Sequence, residues 1–116
     1  MKGVRIINVS VKYIRPKYRD IHDWLLNKKH VYIGRNVVYV GINASKWANP
    51  YSVKTYGLDE CLVKYEEYVR THLYNDLDEL SGKTLGCWCK PNKCHGDVLK
   101  KLLDEKIAKQ DIQNEN

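Results

Sequence analysis

The chain has 116 residues, of which 43% are hydrophobic and 29% are charged, and its formal net charge is +6. These values exclude a disordered chain. No apolar run approaches the ~20 residues that a membrane helix needs, and the start of the chain has no apolar run long enough for a signal peptide. We therefore expect an intracellular protein that does not contact membranes. The length predicts one α/β domain over residues 1–108, followed by a polar, disordered tail over residues 109–116.

The first part of the chain alternates between strand and helix patterns. Alternating apolar and polar residues predict a strand over residues 4–13 with one buried face. After Pro16, apolar residues at helical spacing predict a short amphipathic helix that ends near residues 27–30. Two β-branched and aromatic runs, residues 31–33 and 37–40, flank a Gly-Arg-Asn triplet, which predicts a β-hairpin.

The second part contains the strongest helix pattern. Residues 41–57 lack periodicity and are predicted to form an ordered loop. Apolar residues then recur at three- and four-residue spacing from Leu58 to Leu73, and a strand over residues 84–89 and a helix over residues 98–107 follow. Together these elements predict a two-layer or three-layer α/β domain with a mixed sheet, a hairpin and about three helices.

Three of the four cysteines lie close together, between the predicted strand at residues 84–89 and the final helix. Thiols stay reduced inside cells, so this clustering indicates metal or thiol chemistry more than a disulfide framework. A strand-to-helix turn is also where α/β proteins expose reactive groups. The fourth cysteine, Cys61, lies on the apolar stripe of the strongest helix and is predicted to be a core residue.

Three blocks of the chain resemble a known family. They are residues 32–35 (Tyr-Ile-Gly-Arg), residues 45–51 (Ser-Lys-Trp-Ala-Asn-Pro-Tyr) and the cysteine block of residues 86–99. Together they are similar to the domain of unknown function 4326 family over roughly residues 4–103. Members occur in bacteria, phages and large DNA viruses, so the resemblance implies a viral or phage-related protein in which the three blocks form one site.

A metal centre is one interpretation of the cysteine block. On a strand, Cys87 and Cys89 point to the same side, and Cys94 and His95 would complete four zinc ligands. Structural zinc sites usually take two ligand pairs from separated segments, whereas here four ligands lie within nine residues and two of them are adjacent. Zinc is therefore the less favoured interpretation.

A nucleotide-type pocket is the favoured interpretation. If the final helix starts at residues 95–97, its free amides and dipole lower the pKa of a thiol at Cys94 and attract anions. His95 can pair with that thiol, and Asp97 can orient the imidazole or hold a ligand hydroxyl. The predicted catalytic residues are therefore Cys94, His95 and Asp97, and the predicted ligand-binding residues are Gly34, Arg35, Lys46, Trp47, Asn49 and Gly96.

Purely structural roles explain several of the same residues. Cys87 and Cys89 suit a central strand, and Asp97 suits a helix cap. Asn49 before a proline is a turn former, and Trp47 can fold onto the core.

Two functions therefore stay open. In the leading one, the protein binds a nucleotide or a nucleic-acid-derived phosphate, and chemical processing of that ligand is a further step. The alternative is a module without catalysis, with zinc or without it, that contacts nucleic acid or another protein through its basic surface.

Overall fold

The architecture is built on three short parallel strands. A computed structural model describes the backbone of residues 2–114 and the side chains of residues 2–112. Strands β1 (Arg5–Asn8), β2 (His30–Tyr32) and β3 (Thr84–Cys87) form one sheet in the order β1-β3-β2. The last strand in the sequence is thus the central one, and both neighbours run parallel to it.

Helices connect and cover these strands. Two of them are long enough to pack along the sheet, and both follow the predicted apolar periodicity. Acidic residues lie in the first turn of the 15-residue helix and basic residues in its last turn, as the helix dipole favours. The α-helices are α1 (Val11–Ile14), α2 (Ile21–Trp24), α3 (Val53–Tyr56), α4 (Leu58–His72) and α5 (His95–Asn114), and 3-10 helices span Val38–Val40 and Tyr74–Leu80.

The sheet separates two hydrophobic clusters. Side chains alternate along each strand, so Leu85 and Ile33 face the larger cluster with α4 and α5, while Tyr32 faces the smaller one with α2. Gly86 lies on the smaller side, where a Cβ would come within 2.5 Å of Val9 and 2.7 Å of Trp24. A side chain at this position would therefore force the first helices away from the sheet.

The α/β class predicted from the sequence is confirmed, but the first strand is shorter than predicted. β1 ends at Asn8, and residues 11–14 form the single turn of α1. The Asn8 carboxamide oxygen accepts the backbone N–H of Ser10 at 2.8 Å, which turns the chain out of the sheet. The apolar residues beyond this turn therefore pack around a helical turn and do not extend the strand.

The predicted hairpin is wrong, and the sheet is parallel where a mixed sheet was expected. β2 pairs with β3, whereas residues 38–40 form a 3-10 helix in which Tyr39 is 93% exposed. After Gly34 the chain continues through the 3-10 helix into the loop of residues 41–57, and β2 stays an edge strand with β3 as its neighbour. Near the expected second strand of the hairpin, the structure contains an isolated antiparallel bridge between Val37 and Ile42.

The final helix is longer than its apolar pattern. α5 begins at His95 and continues to Asn114, so it includes residues 109–114 of the predicted polar tail, while residues 115 and 116 lie outside the described part of the chain. Among the helices that the structure describes, none is both long and apolar enough to cross a membrane.

Candidate functional site

A cavity of about 410 Å³ lies where the carboxyl ends of β2 and β3 meet the beginning of α5. The carboxyl ends of parallel strands share one edge of a sheet, and this edge is the usual ligand site of α/β folds. The structure brings eight residues of the three sequence blocks to this cavity. Five of them were predicted as catalytic or ligand-binding residues and Cys89 as a metal ligand: Gly34, Arg35, Asn49, Cys89, Cys94 and His95.

Three thiols converge beside the cavity, and two of them, Cys89 and Cys94, line it. The sulfur atoms of Cys87, Cys89 and Cys94 all lie within 4.8 Å of one another. Cys87 is the last residue of the central strand, Cys89 lies in the following loop, and Cys94 directly precedes α5. Cys87 and Cys94 are buried, whereas Cys89 is exposed, so the cluster is accessible from one side.

Hydrogen bonding within the cluster sets its charge. The neighbouring thiols of Cys89 and Cys94 hold the pKa of Cys87 well below its usual range. The same contacts raise the pKa of Cys94 and of Cys89, because a second thiolate would lie beside the first. The electrostatics of the cluster therefore favour a first thiolate at Cys87 and disfavour a second one beside it.

The beginning of α5 is a capping box built on a cysteine. The Gly96 N–H donates to the Cys94 sulfur at 3.4 Å, and the Cys94 N–H donates to the Asp97 carboxylate at 3.0 Å. The Asp97 carboxylate also pairs with the ammonium group of Lys90. Asp97 therefore caps the helix and does not line the cavity, and its predicted catalytic role stays a prediction.

His95 is a buried neutral side chain at the cavity floor. Its Nε2 lies 2.6 Å from the Ile33 carbonyl oxygen, which only accepts, so Nε2 carries the proton. Burial lowers the pKa of His95, so the ring is neutral and its Nδ1 is an acceptor. This Nδ1 lies 3.7 Å from the Cys94 sulfur. The structure thus contains the predicted pairing of cysteine and histidine.

Arg35 and Asn49 tie the long loop to the cavity wall. The Arg35 guanidinium donates to the carbonyl oxygen of Asn49 at 3.1 Å and to that of Tyr51. The Asn49 carboxamide donates to the Cys61 sulfur at 3.1 Å and accepts the Tyr51 N–H at 2.9 Å. Asn49 is therefore engaged within the protein, while Arg35 has N–H groups left for a ligand.

Glycine at positions 34 and 96 is explained by packing. A Cβ at Gly34 would overlap the phenol ring of Tyr32, and a Cβ at Gly96 would lie 3.0 Å from side-chain carbons of Ile33 and Ile6. Gly96 thus lets α5 approach the sheet closely, and it is not among the residues that line the cavity.

Two predicted ligand-binding residues lie elsewhere. The Lys46 ammonium pairs with Asp76 at 3.2 Å and with Glu79 at 2.7 Å. Trp47 is buried in the larger hydrophobic cluster. The structure does not bring Lys46 or Trp47 to the cavity, because the loop that carries them turns its side chains toward different neighbours.

Sequence reasoning missed two contributors to the site. The Asn8 carboxamide, paired in register with Cys87, donates to the carbonyl oxygens of Trp88 at 3.1 Å and Lys90 at 2.7 Å, and so shapes the loop after β3. The Trp88 indole donates to the Tyr32 hydroxyl at 2.8 Å and keeps 37% of its surface exposed beside the cavity. A polar residue directly after the two isoleucines of β1 was the signal for Asn8.

The rim of the cavity is positively charged. Arg35, Lys54 and Lys93 line it, and no aspartate or glutamate does so within the described residues. Lys93 pairs with Asp59 outside the cavity at 3.4 Å, but both side chains are largely exposed, so this pair contributes little. The charged side chains of the rim therefore favour an anion.

The fold and site define a small α/β protein with a basic, thiol-rich cavity at the carboxyl end of a parallel sheet. Residues 17–105 match the family described as Domain of unknown function (DUF4326), so the chain belongs to this family. No solved structure matches the chain.

Two relatives come from viruses of very different hosts. Uncharacterized protein R718 of Acanthamoeba polyphaga mimivirus is 45% identical over 62% of this chain and 65% of its own length. The uncharacterized 12.4 kDa protein in the nrdA-td intergenic region of Enterobacteria phage T4 is 37% identical over 47% of this chain. The chain spans 45% of the length of that phage protein.

Proposed function

We propose that the cavity binds a small phosphate-bearing ligand, of which a nucleotide or a fragment of nucleic acid is the best candidate. The observation that carries this proposal is the cationic rim of Arg35, Lys54 and Lys93, which no carboxylate among the described lining residues offsets. Each cation attracts a phosphate by about 1 kcal/mol at 4 Å in water, and more where the cavity excludes solvent.

Arg35 is the residue best suited to hold the phosphate. Its guanidinium has five N–H donors, of which hydrogen bonds to the carbonyl oxygens of Asn49 and Tyr51 use two. These two bonds fix the plane of the group, so the remaining donors are oriented before a ligand arrives. Planar paired donors match the oxygen atoms of a phosphate.

The surroundings of Arg35 also suit a nucleotide. The positive end of the α5 dipole points toward the cavity from Cys94 and His95. The partly exposed Trp88 ring offers a face on which a base can stack. A cavity of about 410 Å³ is within the range of small-molecule sites.

Chemical processing of the ligand is a separate prediction. Cys94 and His95 line the cavity and lie 3.7 Å apart, as a thiol and its base would. Asp97 is held by the helix cap and Lys90, so the geometry does not place it beside a ligand.

Binding is tested by thermal unfolding with a panel of inorganic phosphate, nucleoside mono-, di- and triphosphates, and short single-stranded oligonucleotides. We expect saturable stabilisation by at least one member of this panel. In the double variant Lys54→Ala/Lys93→Ala the affinity should fall about tenfold, since removing two rim charges costs about 1.4 kcal/mol of binding free energy.

The double variant Lys12→Ala/Lys17→Ala is the matched control, because it removes the same charge from surface lysines that do not line the cavity. Stabilisation by no member of the panel would refute the proposal. An equal loss of affinity in the control would also refute it, because binding would then follow the overall charge of the protein.

A further inference from the structure

We infer that Cys87, Cys89 and Cys94 bind one thiophilic divalent cation, with Zn²⁺ preferred, and that the fourth coordination position of this metal opens on the cavity. Metal binding by the three thiols is independent of the proposed function. The identity of the fourth ligand, water or an oxygen of the anionic ligand, rests on it.

The distances between the sulfur atoms fit a metal after a small contraction. All three sulfurs lie within 4.8 Å of one another. Thiolates bound to zinc at ~2.3 Å in a tetrahedron lie about 3.8 Å apart. The cluster therefore needs to close by at most about 1 Å, and the exposed side chain of Cys89 in the loop after β3 has the freedom to do so.

The other two ligands are held in place before a metal arrives. Cys87 ends the central strand, where it pairs with Asn8, and Asn8 also holds the following loop by two hydrogen bonds. Cys94 is fixed by the capping box of α5, and the Gly96 N–H that points at its sulfur would stabilise a thiolate. A preorganised ligand set of this kind lowers the cost of binding a metal.

Packing alone does not account for the cluster. A core cysteine is buried, whereas Cys89 is exposed, and its thiol lies beside two others on the wall of a cavity. A disulfide would use two of the three thiols and leave the third unpaired. Three thiolates and a divalent cation carry one net negative charge, and the Arg35 guanidinium, which interacts electrostatically with Cys89, offsets it.

The ligand set differs from the four residues predicted from the sequence. His95 Nδ1 lies 3.7 Å from the Cys94 sulfur, but no ring nitrogen of His95 belongs to the cluster in which all ligand atoms lie within 4.8 Å. Because Cys89 and Cys94 line the cavity, the fourth coordination position of the metal, which His95 does not fill, faces the cavity. Three protein ligands and one open position are typical of reactive zinc sites rather than structural ones.

The inference is tested on the full chain, reduced, incubated with zinc and desalted, with the metal measured by elemental analysis. We expect one zinc per chain. Replacement with cobalt should give the absorption bands of tetrahedral thiolate coordination. Cys89→Ala, a substitution at an exposed position, should reduce the zinc content at least tenfold, whereas Cys61→Ala should retain one zinc per chain.

His95→Ala reports on the open position. We expect it to retain one zinc per chain, whereas a loss as large as that of Cys89→Ala would show a closed four-ligand site and overturn this part of the inference. A zinc content well below one per chain in the unmodified protein, or full retention by Cys89→Ala, would overturn the metal centre itself.

These readouts are made without any phosphate ligand, and the panel of phosphate compounds is repeated on protein stripped of metal by a chelator. A failure of the metal centre is therefore distinguishable from a failure of the anion site.

Discussion

Cys61 lines the same cavity as Cys89 and Cys94 of the three-cysteine cluster, which Cys87 completes, yet the environments of Cys61 and of the cluster differ. Cys61 is fully buried on α4, where its sulfur accepts from the Asn49 carboxamide and its thiol donates to the Tyr51 carbonyl oxygen at 3.2 Å. The clustered sulfurs instead lie within 4.8 Å of one another, and each thiol shifts the pKa of its neighbours. Burial does not separate these two kinds of cysteine, whereas the presence of neighbouring thiols does.

The comparison shows how one residue type serves two purposes. A thiol whose donor and acceptor are both used by the protein stabilises a loop, here the loop that also holds Arg35. Thiols that face one another place several sulfur lone pairs around one point, which is an unfavourable arrangement unless a proton or a cation occupies it.

The largest expected difference is in stabilisation by zinc. At a free zinc concentration 100 times the dissociation constant, binding adds ~2.7 kcal/mol to the free energy of unfolding, or roughly 10 °C in the melting temperature. We expect this shift in the unmodified protein and in Cys61→Ala, and less than a tenth of it in Cys89→Ala. Equal shifts in the two variants, measured by calorimetry, would remove the distinction between the two kinds of cysteine.

The next effect concerns Arg35, which belongs to both regions. Arg35→Gln should weaken the binding of the best phosphate ligand by tenfold or more, because a charged hydrogen bond is worth about 1.5–3 kcal/mol. Zinc content should stay at one per chain, since Arg35 is not a ligand. Titration calorimetry measures the affinity, and an unchanged dissociation constant would contradict the assigned role. Lys46→Gln is the control, because Lys46 pairs with Asp76 and Glu79 and does not line the cavity.

In metal-free protein the order of the cysteine variants should reverse. Cys61→Ala removes a fully buried sulfur and deprives the N–H of the Asn49 carboxamide of its acceptor, which should cost about 1–2 kcal/mol of stability. Cys89→Ala alters an exposed side chain and should cost about 0.5 kcal/mol or less. Urea unfolding in the presence of a chelator measures both values, and a larger cost for Cys89→Ala would contradict the structural role given to Cys61.

The smallest expected effect on stability concerns Glu66, which lies on the same helix as Cys61 but away from the thiols. Hydrogen bonds from Lys101 and Arg70 lower the pKa of Glu66, so this carboxylate adds stability above its ordinary pKa near 4.5, and this stability is lost as the pH falls through its folded value. The ion pairs are well exposed to solvent, so we expect about 0.3–0.5 kcal/mol. Glu66→Gln should show this loss in urea at pH 7 and a smaller loss at pH 3, and a loss that is the same at both pH values would contradict it.

The sequence predicted those parts of the fold that depend on local periodicity. α4, α5 and β3 each follow an apolar pattern that is complete within the element. The hairpin prediction failed because the partner of β2 is β3, far along the chain, and a β-branched run does not indicate which strand it will pair with. The strand order β1-β3-β2 is likewise a property of distant contacts.

The part of the site that depends on local sequence patterns was predictable as well. Cys94, His95 and Arg35 follow the ends of predicted strands or begin a helix, so their approach to one sheet edge was foreseeable. Lys46 and Trp47 lie in a loop without periodicity, where the direction of each side chain is set by its tertiary partners. The sequence left two roles open for Asp97, a helix cap and a catalytic residue. Choosing between them required the position of Lys90, which the sequence does not specify.

The decisive measurement is a crystal structure of the protein grown with zinc and a nucleotide, with data recorded at the zinc absorption edge. We predict one anomalous peak bonded to the sulfur atoms of Cys87, Cys89 and Cys94, and phosphate density against the guanidinium of Arg35. A cavity closed by protein side chains, with no anomalous peak at the three sulfurs and no phosphate at Arg35, would contradict it.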